Sequence, residues 1–335
     1  MRLHLLVLLI SILCVTTARA EFNDIVTGAR PAGMGNAFVA LSDDINALYW
    51  NPAALTLQKH MEVGFMHANE LTPTGGPAIG TDFAGWSSGH GPYGAFGAAF
   101  LRQGLSDILQ ERTLSLSYGY ALSPFTRVGA NMKSMAVIVH PQGHFFPDPA
   151  LNDDSTQALD LSFLHIITPD FRIGGLARNL LGRLGHVDRQ DIHKSYRLGA
   201  AYKVRTEFID EDYLWLTVDV FSKEDINDQA GLTIKNAVGA EYQITPWIAV
   251  RGGINNGRFT GGAGLSALGL HIDYSIAQAE EGIGTSQRVS LTYKFGGEIH
   301  TDRHEVTVRH HAAPKATPRL EKPPKSKPRR TPEGD

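Results

Sequence analysis

The sequence predicts an all-β protein, a 14-stranded antiparallel transmembrane β-barrel preceded by a short segment rich in glycine and alanine. Three observations predict it. Apolar and polar residues alternate with period two across residues 61–295, and successive side chains of a strand point to opposite faces. No apolar run after residue 20 approaches the ~20 residues of a membrane helix; the longest clean one is Met135–Val139. The chain also opens on an export signal, and an exported chain that crosses a membrane without helices must close into a barrel, because every backbone amide in hydrocarbon needs a partner.

Residues 1–20 carry that signal. Arg2 precedes an apolar stretch from Leu5 to Val15, and Ala18-Arg19-Ala20 has the small-x-small form that a signal peptidase accepts, which predicts cleavage after Ala20. Cys14 follows Leu13 rather than a small residue, which argues against lipid attachment there. It is the only cysteine, so the mature chain holds no disulfide, thiolate metal site or cysteine nucleophile.

Residues 21–60 follow as a compact segment. Gly33 and Gly35 permit close backbone approach or positive φ. Ser42 is expected to cap a short helix beginning at Asp43, whose acidic residues suit the positive helix end, and Pro52 is expected to stop it.

Residues 61–295 hold fourteen alternating runs bounded by turn residues, the first near 61–68 and the last near 286–295. In one of them Leu114, Leu116, Tyr118, Tyr120 and Leu122 share a face against Ser115, Ser117, Gly119 and Ala121. An even count leaves both chain ends on one side, the periplasmic one. The longest connections are expected at 139–156 and 179–194. The apolar face often ends in tyrosine or phenylalanine, as an aromatic girdle at a water interface would. The opposite face, expected to line the lumen, carries Arg127, Lys133, Asp160, Arg197, Lys203, Asp219, Glu241, Arg251, His271, Asp273, Arg288 and Lys294. Their mixed signs predict ion-paired packing, since a greasy tunnel would carry fewer charges.

Residues 296–335 form a tail rich in Pro, Lys, Arg and His, read as disordered and periplasmic. From 315 to 330 it sets seven basic residues against Glu321, and its prolines favour an extended polyproline path. A carboxylate- or phosphate-bearing partner, such as the cell-wall polymer or another periplasmic protein, fits that charge.

Other chemistry is weak. Gly85-Trp86-Ser87-Ser88-Gly89 matches a nucleophile elbow in letters, but no helix is expected after it. His300, His304, His310 and His311 cluster without an apolar face to organise them, so no metal site is expected. No cofactor is implied, and 31 basic against 34 acidic residues give no bulk attraction to nucleic acid.

One segment carries a family resemblance. Arg30, Gly33, Met34, Gly35, Ala40, Asp43, Asp44, Asn51, Pro52, Ala53 and Leu55 set out a Gly-Met-Gly stretch, an Ala-x-x-Asp-Asp step and an Asn-Pro-Ala-x-Leu motif. This resembles the N-terminal hatch of the FadL superfamily of outer-membrane proteins, most closely its PorV/PorQ branch. Stretches around Gly239-Ala240-Glu241, Arg251-Gly252-Gly253 and Arg288–Leu291 look like the same branch. The resemblance implies a small hatch inside the lumen of a bacterial outer-membrane barrel, bathed in lipid and not an enzyme. It implies a component tied to protein secretion or surface attachment, with a secretion-apparatus protein or secreted cargo as partner. Passive uptake of hydrophobic small molecules, as in FadL itself, is the alternative, and a structural or porin-like barrel a third.

Overall fold

The alternating runs form antiparallel strands in chain order. The computed structural model describes residues 26–70, 79–105, 109–139, 154–181, 183–184, 190–192, 194–206, 212–224, 232–278 and 284–297. The expected signal segment and the basic tail with its histidines lie outside them.

The strands are β1 (Met61–Glu70), β2 (Ile79–Ser87), β3 (Ala95–Leu105), β4 (Leu109–Ala121), β5 (Thr126–Val139), β6 (Asp154–Thr168) and β7 (Phe171–Arg178). After the two-residue pair β8 (Arg183–Leu184) and β9 (Gln190–Asp191) come β10 (Ser195–Arg205), β11 (Tyr213–Glu224), β12 (Leu232–Thr245), β13 (Ile248–Asn255), β14 (Arg258–Ala267), β15 (Leu270–Gln278) and β16 (Thr285–Phe295). All but β8 and β9 pair with their neighbours in one closed ring of fourteen strands. β1 closes it against β16, in register from Met61 opposite Phe295 to Glu70 opposite Ser286. Closure leaves no unpaired edge for another chain to extend. The stretch 179–194, expected as plain loop, holds the β8–β9 pairing.

Side-chain parity decides which face is which. Leu114, Leu116, Tyr118 and Tyr120 are exposed while Ser115 and Ser117 are buried. Likewise Val289, Leu291 and Tyr293 are exposed, and Arg288, Ser290 and Thr292 buried. A water-soluble β-fold buries its apolar face; here the sense is inverted.

The two ends of the ring also differ. At the end holding Met61 and Phe295, two-residue turns Pro169-Asp170, Pro246-Trp247 and Leu268-Gly269 join strands, whereas the opposite end holds one such turn, Asn256-Gly257, and the long stretch 179–194. Aromatic rings crowd the Met61 end, with Phe96 against Tyr118 at 5.0 Å and Tyr293 stacked on Phe295 at 5.8 Å.

Residues 26–58 contain a helix at Ala29–Gly33, another at Ala47–Trp50 and a 3-10 helix at Pro52–Leu57. Helices this short are marginal in water, so contacts to the rest of the chain hold them. The helix expected from Asp43 begins at Ala47 instead. Ser42 does not cap it: its Oγ donates to the Phe38 carbonyl. Asp44 instead folds a turn by accepting from Asn46 N and Nδ2. The helix ends at Trp50, before Pro52, which opens the 3-10 helix, where its missing N–H costs nothing.

Candidate functional site

The N-terminal segment touches the buried face of strands around the whole ring. Its backbone presses on glycines that carry no side chain to obstruct it. A Cβ on Gly129 would lie 2.5 Å from the Pro52 carbonyl carbon, and one on Gly174 2.7 Å from the Val39 oxygen. On the other side of the ring, a Cβ on Gly253 would lie 2.8 Å from the Met34 oxygen. The glycines of the buried strand face are thus the seats of residues 34–53. Gly35 adopts φ +64°, and a Cβ there would stand 2.8 Å from Ile254 N. Gly33 lies against the backbone of Gly262, at ordinary φ.

Polar anchors fix the seating. Asn51 Nδ2 donates to the Val39 and Phe163 carbonyls while its Oδ1 accepts from Ala53 N, capping the 3-10 helix. Ser162 Oγ also accepts from Ala53 N, and Ser290 Oγ accepts from Ala29 N at 2.8 Å. Asn131 Nδ2 donates to the Leu48 carbonyl, and Glu62 accepts from Ile45 N.

The centre of the arrangement is Arg30. Its guanidinium meets Glu241 through two bonds of 2.7 Å, and Asp43 and Asp44 through one bond of 2.7 Å each. Glu241 accepts a further bond of 2.6 Å from Arg251, which reaches Asp273 at 2.7 Å. Arg172 closes the chain on Asp43 at 3.1 Å. Three arginines and four carboxylates thus alternate across the segment and strands β7, β12, β13 and β15. Burial opposes the charge of Arg30, but Glu241, Asp43 and Asp44 outweigh it and hold its pKa well above the ordinary value. Burial likewise opposes ionised Asp43, yet Arg30 and Arg172 hold its carboxyl far below the usual range.

Arg197 makes a second anchor. It donates to the Asn36 carbonyl at 2.8 Å and to Asp219 at 3.2 Å, with its guanidinium over Phe221 at 4.1 Å and Trp50 at 5.0 Å. Asp219 in turn accepts from Phe38 N and Val39 N. Lys133 pairs with Asp160 at 2.7 Å, Arg127 donates to the Pro124 carbonyl, and Arg288 donates to Ser286.

Of the residues singled out in the sequence, Arg30, Asp43, Asp44, Glu241, Arg251 and Asp273 meet in one cluster. Gly35, Asn51, Pro52 and Ala53 are backbone seats, and Met34 is buried beside Gly239 and Gly253. The sequence reading passed over Arg172 and Arg178, although each alternates with an apolar residue of β7. Arg178 donates to Tyr49 and lies over its ring at 4.0 Å. It also passed over a patch of buried apolar side chains, Met66, Phe83 and Leu101, clustered with Ile45 and Leu48 of the segment.

The serine of the elbow-like motif ends strand β2 and donates to Gln58, and the chain runs on through a short turn into β3. Among the described residues no group of three or more His, Cys, Asp or Glu is placed to hold a metal.

No protein-family model matches the sequence, and no curated protein matches it. Solved structures do match in shape. The chain is similar to the CymD monoaromatic hydrocarbon channel, at 15% identity and a TM-score of 0.56, over 83% of this chain and 100% of that one. It is similar to the toluene transporter TodX of Pseudomonas putida, at 11% identity and a TM-score of 0.58, over 81% of this chain and 99% of that one. At such identities the likeness shows the fold: a closed barrel of the kind these channels have.

Proposed function

We propose that this chain is an integral outer-membrane barrel of the FadL superfamily, not an enzyme, in which residues 26–58 form a plug that holds the lumen closed at rest. The observation that carries the reading is the inverted sheet. Its apolar, aromatic-edged face is exposed, as lipid requires, while its polar, glycine-rich face grips the N-terminal segment through Arg30 and Asn51. The start of the first strand and the end of the last, Met61 opposite Phe295, lie with three short turns at one end, which fits a periplasmic side. The signal peptide, with cleavage after Ala20, and a tail reaching for the cell wall belong to the same reading.

The plug is held by ion pairs around Arg30 and by two apolar clusters, Ile45, Leu48 and Leu55 against Met66, Phe83 and Leu101, and Met34, Phe38 and Trp50 against Trp215. We infer that its release admits apolar small molecules, monoaromatic hydrocarbons among them. The buried Met66, Phe83 and Leu101 beside the plug would supply the apolar contact, and two similar folds belong to hydrocarbon transporters. The second reading, a PorV/PorQ-type docking partner for protein secretion or surface attachment, is favoured by the modest connections away from the termini. None exceeds the stretch 179–194, which leaves little chain to capture a ligand.

The test is entry of toluene into liposomes carrying the full chain. The uptake reading predicts entry faster than into protein-free liposomes, faster again with Arg30→Ala. No entry with either, together with a secretion barrel or surface cargo crosslinked to the chain in its own membrane, would replace it with the docking reading.

A further inference from the structure

The outward wall carries one row of residues that neither the plug nor the lumen explains. Pairing registers set Val289 opposite His67, His67 opposite Asp82, Asp82 opposite Arg102, and Arg102 opposite Arg112, across five neighbouring strands. Asp82 is the hub. Its Oδ1 lies 2.7 Å from His67 Nδ1, and its Oδ2 accepts from Arg102 Nε at 3.0 Å and Nη2 at 2.5 Å. Arg112 donates through Nη2 to Gln110, while its buried Nε has no hydrogen-bond partner.

Two arginines face each other directly, and like charges placed so repel. The row holds one carboxylate for them, so it keeps net positive charge even with His67 neutral. A charge on the lipid face is costly at the bilayer midplane, and the cost falls toward nothing at the interface. The row therefore marks an interface, on the side away from the termini. The next outward row toward the termini is wholly apolar: Leu291, Phe65, Ala84, Phe100 and Leu114, again in register. Between the rows lies an outer cleft of about 390 Å³, lined by Phe65, Phe100, Val289, Leu291 and the edge of Asp82 among others. A cationic rim above an apolar cleft is complementary to one chemistry, a phosphate carried on acyl chains.

We propose that β1–β4 and β16 form a binding site for a phosphorylated glycolipid of the outer leaflet, its phosphate on Arg102 and Arg112 and an acyl chain in the cleft. Asp82 is a positioning residue that orients Arg102 and His67. The proposal rests on the outer-membrane reading, because that reading turns the row toward the outer leaflet.

The test compares the full chain with the double variant Arg102→Gln/Arg112→Gln and with Arg205→Gln, a control that removes one charge near the other end. Each is titrated in micelles with lipid A, phosphatidylglycerol or phosphatidylcholine, and its Tm is followed. Lipid A is expected to raise the Tm of the parent and of Arg205→Gln, and to bind the double variant at least tenfold more weakly. Equal binding by the double variant overturns the proposal, and so does an equal loss in Arg205→Gln. Equal stabilisation by phosphatidylglycerol overturns the choice of glycolipid. A heat-dependent gel shift is read on every sample: its absence in the parent would refute the barrel reading itself, whereas its presence beside unchanged lipid binding refutes the site alone.

Discussion

Replacing Arg30 with alanine removes one guanidinium from four bonds of 2.7 Å, two to Glu241 and one each to Asp43 and Asp44. The Arg30 side chain is 14% exposed and that of Glu241 2%, so water screens the contact little. Removing one partner of a buried pair typically costs ~3–5 kcal/mol. Compensation trims this, because Arg251 still holds Glu241, Arg172 still holds Asp43, and Asp44 keeps its bonds from Asn46. The expected loss of plug seating is therefore about 3 kcal/mol, near the low end of that range, which is roughly a hundredfold in the opening equilibrium. The chain offers a clean assay, since its one cysteine, Cys14, lies in the segment expected to be cleaved. A reporter thiol introduced by Ala40→Cys sits where the parent residue is 1% exposed. Its labelling by a water-soluble maleimide should accelerate by roughly two orders of magnitude on Arg30→Ala, as the energy difference requires. A rate within about threefold of the parent's, well below one factor of ten per 1.4 kcal/mol, would refute the claim that the arginine cluster seats the segment.

Three further outcomes follow from the same geometry. Gly35→Ala must place a Cβ 2.8 Å from Ile254 N at φ +64°; the left-handed strain alone is ~1–2 kcal/mol, so a lower denaturant midpoint is expected, and an unchanged one would remove the close approach. Asn51→Ala strips the cap from Ala53 N and orphans the Val39 carbonyl, costing about 2 kcal/mol or more by lost and unsatisfied bonds; the same thiol assay should report it, and parent-like labelling would contradict it. The carboxyl of Asp43 is held below its usual range, so its stabilising contribution is full above the unfolded carboxylate pKa of ~3.9 and is lost as pH falls through the depressed folded value. Plug labelling should then stay flat from neutral pH down to about 4 and rise only below, while a rise near pH 6 would assign control to another group.

The barrel was legible because alternate residues of every strand meet opposite surroundings, the exposed outer surface and the buried inner face, so Leu114, Leu116 and Tyr118 separate from Ser115 and Ser117 without ambiguity. Glycine on the inner face was legible as small residues, but not as a set of seats. Nothing in the sequence pairs Gly129 with Pro52 or Gly253 with Met34, because those contacts join elements far apart in the chain. The same holds for Arg30 and Glu241, separated by 211 residues: each could be assigned a face, not a partner. Ser42 misled because a serine before two aspartates is a cap by local rules, whereas here Phe38 and Arg30 claim those groups. Arg172 and Arg178 were missed for a different reason, since one arginine near each end of a short strand interrupted by Gly174-Gly175 gives no periodic signal stronger than its neighbours.

In the proposed arrangement, residues 26–58 sit inside the barrel in its native membrane. The Ala29 N–H donates to Ser290 Oγ at 2.8 Å, so the two residues touch across the segment and strand β16. Disulfide trapping of Ala29→Cys/Ser290→Cys in intact outer membranes is therefore the most direct measurement. An oxidised species is expected that migrates faster on unreduced gels, reverts with reductant, and slows toluene entry when formed. Two thiols that stay unlinked and react freely with maleimide in a barrel that still shows its heat-dependent gel shift would contradict that arrangement.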